Sequence, residues 1–293
     1  MSHVAAEIAS QPECWQRALD LAAQNQPGLP LPGERVAVVG CGTSYYMAQA
    51  YAVLREQHGH GETDAFCASE LPGRRYDRLL AITRSGTTTE VLDALRTSAA
   101  SVTTAITADP HTPVLAAADQ TVVLDFADER SVVQTRFATT CLALLRGQLV
   151  AAPADLVDQA RAALVAEPPA GAVDFRQYTF LGSGWTNGLA QEAGLKLREA
   201  AGAWTEAYPA MEYRHGPISV ADHRSLVWLL DGDAPATGPV ARDAAGTGAS
   251  VVLGSLDPLA ELVRIQRLAV ALAEAAGLDP DQPRNLTRSV VLS

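Results

Sequence analysis

The sequence has no apolar run that approaches the roughly 20 residues needed to cross a membrane as a helix. Its start, residues 1–10, also lacks the basic region and apolar stretch of a secretory signal. Basic residues are outnumbered, with 22 Lys and Arg against 33 Asp and Glu. Such a chain lacks the positive field that general nucleic-acid or membrane-surface binding requires. We therefore expect a cytoplasmic protein with neither kind of partner, which would hold an anionic ligand by local N–H groups and a few arginines.

Cysteine is scarce, and the four cysteines form no CxxC pair, so neither a disulfide framework nor a zinc site is predicted. The closely spaced His58 and His60 flank Gly59, which is typical of an exposed turn rather than of metal ligands. Lysine is nearly absent, since Lys196 is the only one. This is consequently the only side chain that could form a Schiff base with a carbonyl substrate.

Short apolar segments alternate with helix-like segments along most of the chain, as in Val36–Val39 followed by Ser44–Gln57. This alternation predicts an α/β fold of βαβ units, with a parallel sheet between two helical layers. Binding sites in such folds lie at the carboxyl ends of the strands. A linker around residues 167–171 precedes a second set of alternating segments.

The two sets of segments look like copies of one domain. Gly40-Cys41-Gly42 lies 142 positions before Gly182-Ser183-Gly184, and Ala48-Gln49 precedes Ala190-Gln191 by the same offset. We interpret this as an internal duplication with a boundary within residues 151–172. The predicted division is a first domain of residues 1–155 that includes the opening helix, a second of 156–280, and a docking tail of 281–293.

The most informative segment is a hydroxyl-rich loop, Thr83-Arg84-Ser85-Gly86-Thr87-Thr88, between the strand-like Leu79–Thr83 and the helix-like Glu90–Arg96. A strand end, a glycine-containing loop and a helix start direct N–H and O–H donors at one point, which suits a phosphate. The turn Gly40–Ser44 has a similar form. It is not the dinucleotide fingerprint, because Tyr45 occupies the place of the third glycine.

Three further features each allow a structural or a functional interpretation. Glu192, Lys196 and Glu199 fall at i, i+4 and i+7 on one helical face, which is either an exposed salt-bridged stripe or the wall of a cleft. His215 precedes Gly-Pro in a turn-rich stretch, 206–217, and its spacing alone does not distinguish a structural from a functional role. The apolar end of the tail predicts docking, which could carry Arg284 or Arg288 to a site.

Taken together, these segments resemble the tandem sugar isomerase (SIS) domain family. The similarity is to the isomerase half of glucosamine-fructose-6-phosphate aminotransferase and to stand-alone phosphosugar isomerases and deaminases. It rests on segments spread over nearly the whole chain, namely Glu7-Ile8 with Gln11-Pro12, Cys41-Gly42-Thr43-Ser44, residues 83–88, 129–140, 192–199, 206–217 and 281–289.

The resemblance implies roles for individual residues. A sugar phosphate would be cradled by the hydroxyls of Thr43, Ser44, Thr83, Ser85 and Thr88, next to Cys41, Gly42 and Arg84. Glu199 matches the glutamate base that moves a proton between C1 and C2, and Glu192 and Lys196 line the same site. His215 matches the histidine that helps to open the sugar ring and reaches in from the partner subunit of a homodimer.

The sequence departs from the aminotransferase pattern at three positions. Arg84 stands in place of a glutamine and Thr87 in place of a glutamate, so contacts to the sugar hydroxyls would differ. Arg288 replaces the lysine that forms the Schiff base with the ketose. Arginine stays protonated and is a poor nucleophile, but it could hold a carbonyl oxygen and stabilise an enediolate.

The resemblance therefore predicts a phosphosugar isomerase that acts at C1/C2 of an aldose or ketose phosphate without a metal or cofactor. Because the chain starts directly at its opening helix, we expect no glutamine-hydrolysing domain. A deaminase that releases ammonia from an amino-sugar phosphate would use the same intermediate, so it remains an alternative. A phosphosugar-binding protein without catalysis is the third alternative, because the Schiff-base lysine is lost.

Overall fold

The computed structural model describes residues 2–292. The chain divides into two compact units. The first unit comprises Ser10–Ala154 with Thr287–Ser293, and the second comprises Met1–Ala9 with Asp155–Leu286. Each unit is built around one parallel sheet, so the predicted α/β class is confirmed.

The first unit contains helices α2 to α6 and strands β1 to β5. Its helices are α2 (Gln11–Ala23), α3 (Thr43–Gln57), α4 (Thr89–Thr97), α5 (Val114–Ala117) and α6 (Arg136–Leu149), and its strands are β1 (Val36–Gly40), β2 (Thr63–Cys67), β3 (Arg78–Ile82), β4 (Val102–Thr107) and β5 (Gln120–Val123). The strand order is β2-β1-β3-β4-β5. Because β1 and β3 are central strands covered on both faces, every residue in them is buried.

The second unit contains helix α1, helices α7 to α10 and strands β6 to β9. Its helices are α1 (His3–Ala9), α7 (Leu156–Val165), α8 (Thr186–Ala201), α9 (Thr237–Gly246) and α10 (Pro258–Ala275), and its strands are β6 (Gln177–Gly182), β7 (Thr205–Pro209), β8 (Ser225–Leu229) and β9 (Ser250–Leu253). The strand order is β7-β6-β8-β9. The Asp281 carboxylate accepts hydrogen bonds from the backbone N–H groups of His3 and Val4 at 2.7 and 2.8 Å, so it caps the start of α1.

Both sheets place their strands in the same order, apart from the additional β5 in the first unit. The glycine that ends β1 and the glycine that ends β6 are required for the same reason, which is the lack of room for a Cβ atom. A Cβ on Gly40 would lie 2.6 Å from the carbonyl carbon of Ser44, and a Cβ on Gly182 would lie 2.3 Å from the carbonyl oxygen of Thr186. In each unit, glycine lets the next helix start directly against the strand. This correspondence supports the internal duplication, which stays a prediction.

The structure differs from the sequence-based interpretation in two segments. Residues 205–209 form strand β7, although most of this stretch was interpreted as turn-rich. Residues 156–165 form helix α7, although they lie inside the predicted boundary region. In addition, the opening helix was assigned to the first domain, whereas α1 belongs to the second unit and only α2 to the first.

Within the described residues 2–292, no helix combines the length and apolar character needed to cross a membrane.

Substituting Gly182 by alanine tests the close contact between β6 and α8. The added Cβ meets backbone atoms of Thr186, so α8 has to shift, and we expect a loss of about 1–3 kcal/mol in the free energy of unfolding. Thermal melting with Gly73→Ala as the control measures this, because a Cβ on Gly73 meets no atom within 4 Å. Equal melting temperatures for the two variants would contradict the packing argument.

Candidate functional site

The loop that follows β3 folds back on itself through its own hydroxyl groups. The Ser85 hydroxyl accepts hydrogen bonds from the N–H and the hydroxyl of Thr87, at 3.3 and 3.0 Å, and the Thr83 hydroxyl accepts from the Gly86 N–H at 3.3 Å. Gly86 has a φ of +63°, and a Cβ there would lie 2.1 Å from the Thr112 hydroxyl oxygen. The turn therefore requires glycine, and the hydroxyls cluster at the carboxyl end of a central strand.

Two helices of the first unit begin next to glycine or hydroxyl residues. Helix α3 starts at Thr43 after Gly42, and helix α4 starts at Thr89 after Thr88. In the described part of the chain, neither start has a side-chain cap hydrogen bond. The first turn of α4 contains Glu90, and the Thr89 N–H donates to the Val290 carbonyl, whereas the first turn of α3 has no acidic residue. The positive dipole end of α3 therefore favours an anion.

Arg84 is buried, and its hydrogen bonds run to backbone carbonyls. Its Nη1 donates to the Ser131 carbonyl at 2.8 Å, and its Nη2 donates to the carbonyls of Val132 at 3.3 Å and Arg288 at 3.1 Å. The guanidinium also lies 3.6 Å from the Glu129 carboxylate, and both side chains are at most 1% exposed. Arg84 thus ties the hydroxyl loop to the segment before α6 and to the C-terminal tail.

Glu129, which pairs with Arg84, also bonds to the first residues of α6. Its Oε1 accepts from the backbone N–H of Thr135 at 2.6 Å, from the Thr135 hydroxyl at 2.8 Å and from the backbone N–H of Arg136 at 2.8 Å. These bonds cap the first turn of α6, where a carboxylate is favoured. One buried carboxylate therefore both caps α6 and pairs with Arg84.

The C-terminal tail docks on the hydroxyl loop within the first unit. The Thr87 and Ser289 hydroxyl oxygens lie 2.9 Å apart in a hydrogen bond, the Thr89 N–H donates to the Val290 carbonyl at 3.2 Å, and the Thr89 hydroxyl accepts from the Leu292 N–H at 2.9 Å. Arg288 donates to the Asp128 carboxylate at 2.6 Å, and both side chains stay partly exposed. Arg288 is thereby fixed near the loop with its cationic group within reach of solvent.

Cys41 lies in the glycine turn but does not supply a nucleophile. Burial, with a smaller contribution from the Glu90 carboxylate, raises the pKa of its thiol to about 11. Burial also raises the pKa values of the thiols of Cys14, Cys67 and Cys141. All four thiols are therefore neutral at pH 7, and the thiolate is the reactive form.

In the second unit, helix α8 carries a buried charge cluster. The Lys196 ammonium lies 3.3 Å from the Glu192 carboxylate and is hydrogen-bonded to the Glu199 carboxylate. The side chains of Glu192 and Lys196 are 1% exposed, whereas that of Glu199 is 19% exposed. The stripe is thus largely buried, and Glu199 is its most accessible carboxylate. Lys196 is thus engaged by two carboxylates of its own helix.

His215 follows a short 3-10 turn (Glu212–Arg214) in the second unit. It is exposed, and its backbone N–H donates to the Glu212 carbonyl at 2.9 Å. The following Gly216 has a φ of +133°, a conformation that favours glycine. Met211 and Val220 nearby in the sequence are also exposed.

The structure thus forms two clusters from the predicted site residues. In the first unit, the hydroxyl loop lies with Arg84 and the tail residue Arg288, and in the second unit Glu192, Lys196 and Glu199 lie together. The sequence analysis missed Asp128, the partner of the tail residue Arg288, and Ser289, the tail residue that is hydrogen-bonded to Thr87. An acidic pair directly after an apolar segment, Asp128-Glu129, was the available signal for the former. Over residues 2–292, no group of three or more His, Cys, Asp or Glu is arranged to hold a metal ion.

Comparison with known proteins finds similarity to phosphosugar enzymes. The chain is 28% identical to glutamine–fructose-6-phosphate aminotransferase [isomerizing] of Bradyrhizobium diazoefficiens, over 99% of the chain and 59% of that protein. Glucosamine-6-phosphate deaminase of Thermotoga maritima superposes with a TM-score of 0.83 at 23% identity, covering 99% of this chain and all of that one. Tagatose-6-phosphate ketose/aldose isomerase of Escherichia coli gives a TM-score of 0.76 at 19% identity, covering 98% and 97%.

The Arg84–Glu129 pair yields a stability prediction. Arg84→Met leaves the buried Glu129 carboxylate without its guanidinium, and we expect a loss of about 3–5 kcal/mol in the free energy of unfolding. The double variant Arg84→Met/Glu129→Gln should recover part of it, because it also removes that charge. Chemical denaturation measures both, with Arg96→Met in the exposed Arg96–Asp93 pair as a control expected within about 0.5 kcal/mol of the parent. A single Arg84→Met variant as stable as the parent would contradict the role of this pair.

No family model matches the sequence. The chain spans about three-fifths of the aminotransferase with which it aligns, so the similarity does not extend over that whole protein. The two solved structures superpose over nearly the full chain, and this superposition shows its fold. The chain has the sugar isomerase (SIS) fold found in phosphosugar isomerases and in glucosamine-6-phosphate deaminase.

Proposed function

We propose that this chain is a cytoplasmic phosphosugar isomerase acting at C1/C2 of a hexose or hexosamine 6-phosphate, without a metal or cofactor. The observation that carries the proposal is the hydroxyl loop at residues 83–88, whose donors cluster at a strand end in a fold shared with phosphosugar enzymes. The aminotransferase of similar sequence is itself named as isomerizing. Acidic residues outnumber basic ones in the chain, so the binding of a phosphate depends on local donors.

Phosphate binding is assigned to the first unit. Thr43, Ser44, Thr83, Ser85 and Thr88 supply hydroxyl donors, and the start of α3 supplies the positive end of its helix dipole. Arg84 belongs to this set as a positioning residue, because its guanidinium holds backbone carbonyls on either side of the loop. The family resemblance implied instead that Arg84 contacts the sugar directly.

Proton transfer is assigned to Glu199. Its carboxylate takes the proton from C2 of the open-chain aldose and returns it to C1 through an enediolate, while the hydroxyl proton passes from O2 to O1. Lys196 orients this carboxylate, and the buried Glu192 holds Lys196. Glu199 is suited to the role because it is the cluster member with accessible surface.

Arg288 is assigned the electrostatic part of the reaction. Its guanidinium stabilises the negative charge that develops on the enediolate oxygen, since it cannot form a Schiff base. Asp128 supports this role, because it holds the guanidinium at 2.6 Å while leaving it partly exposed.

Ring opening is assigned to His215, contributed by the partner subunit of a homodimer. An exposed His-Gly-Pro loop with exposed Met211 and Val220 nearby supports this assignment, because residues that serve a partner's site must be accessible in the single chain.

Deamination is the second candidate, and the likeness to glucosamine-6-phosphate deaminase favours it. The same proton shift on a 2-amino aldose yields a ketimine, which water hydrolyses to a ketose phosphate and ammonia. The replacement of the Schiff-base lysine by Arg288 favours a third candidate, a phosphosugar-binding protein without catalysis.

A substrate panel separates the three candidates. The purified chain is incubated with glucosamine 6-phosphate, galactosamine 6-phosphate and fructose 6-phosphate, and ammonia release and sugar interconversion are followed. Interconversion without ammonia identifies the isomerase, and ammonia release identifies the deaminase. Tight binding without turnover of any of the three would refute catalysis and support the binding protein.

Glu199→Gln tests the assigned base. The amide keeps the size of the side chain but cannot accept the proton from carbon, so we expect turnover to fall by at least about 1000-fold, with phosphosugar binding reduced only a few-fold. Steady-state kinetics and calorimetric titration measure the two quantities. Glu274→Gln, an exposed change on α10, is the matched control and should keep parental activity. Unchanged turnover in Glu199→Gln would refute this assignment.

A further inference from the structure

The shared strand order allows the two units to be compared residue by residue. Val36 of β1 pairs with Arg78 of β3, and Tyr178 of β6, the residue 142 positions after Val36, pairs with Leu226 of β8. Counting along the two strands from these pairs places Asp231 of the second unit where the first unit has Thr83. The hydroxyl loop of the first unit therefore corresponds to a segment that begins with a carboxylate.

This carboxylate already has the hydrogen bonds that an anion would make. Asp231 Oδ2 accepts from the Ser183 backbone N–H at 3.0 Å and from the Thr186 hydroxyl at 2.5 Å. By the same offset, Thr186 corresponds to Ser44 of the first unit, one of the proposed phosphate ligands. The start of α8 is thus occupied by an anionic group that belongs to the chain itself.

The environment of Asp231 has opposing effects on the charged form of its carboxyl group. Burial raises the pKa of the carboxyl group, and the hydrogen bonds from Thr186 and Ser183 counteract part of that rise. The backbone carbonyl of Asp231 accepts a further hydrogen bond from the Thr237 hydroxyl, which fixes the turn. An open cavity of about 340 Å³ beside it is also lined by Asp233 and Asp257, so the local charge disfavours a second anion.

We propose that Asp231 is a built-in substitute for phosphate, which closes the anion cradle of the second unit and restricts each chain to one phosphosugar, bound in the first unit. The inference rests on the proposed function only for the site in the first unit. It identifies a specificity-determining residue, because the backbone turn and the Thr186 hydroxyl that would hold a second phosphate are both present.

The test counts phosphate sites by equilibrium dialysis with inorganic phosphate. The parent chain should bind one phosphate and Asp231→Thr two, because the variant restores the residue type of position 83 and removes the carboxylate from the Ser183 N–H and the Thr186 hydroxyl. Asp233→Asn is the matched control: it removes one charge from the same cavity without touching those donors, and it should bind one. A folded Asp231→Thr variant that binds one phosphate overturns the inference, whereas a parent chain that binds none overturns the proposed function instead.

Two further measurements keep the test decisive if Asp231→Thr does not fold. Asp231→Gly removes the carboxylate without adding a side chain, and it should also bind two phosphates. In crystals of the parent chain soaked with tungstate, anomalous scattering should locate the anion at the hydroxyl loop alone. Tungstate bound at Ser183 and Thr186 of the parent would overturn the inference.

Discussion

The candidate phosphate site depends on one buried guanidinium. Arg84 lies inside the hydroxyl loop, yet it donates to carbonyls at Ser131, Val132 and Arg288 and lies 3.6 Å from Glu129. Because guanidinium has five donors in a fixed plane, one residue can hold three backbone segments in a defined arrangement. The loop, the start of α6 and the C-terminal tail are positioned together. A preorganised cradle of this kind binds an anion without first having to order its own donors.

The two units have similar frameworks and different chemistry. In each, a glycine at the end of the first strand of its sheet lets the next helix start close to the sheet, so donors face the same edge. The first unit keeps hydroxyls there, whereas the second places the Asp231 carboxylate on its donors and carries its charge cluster farther along α8.

Much of this architecture could be predicted from the sequence, and the exceptions have physical reasons. A buried central strand such as β1, VAVVG, is a continuous apolar run that the sequence makes evident, but the edge strand β7 is only half-buried and its sequence TEAYP has no such run. Helical spacing placed Glu192, Lys196 and Glu199 on one face but did not indicate their burial. The direction of Arg84 was also unpredictable, because its hydrogen-bond partners lie between 47 and 204 residues away in sequence.

The central claim is that the hydroxyl loop and the start of α3 bind the phosphate of a sugar phosphate. Calorimetric titration of the parent chain and of Ser44→Ala/Thr88→Val with fructose 6-phosphate and with fructose tests it most directly. Two lost hydrogen bonds to a charged phosphate cost about 3 kcal/mol or more, so the account predicts at least about a 100-fold weaker affinity for fructose 6-phosphate in the double variant. It also predicts that fructose binds far more weakly than its phosphate to the parent chain. Equal affinities of the parent chain for the two sugars, or an unchanged affinity of the folded double variant for fructose 6-phosphate, would contradict it.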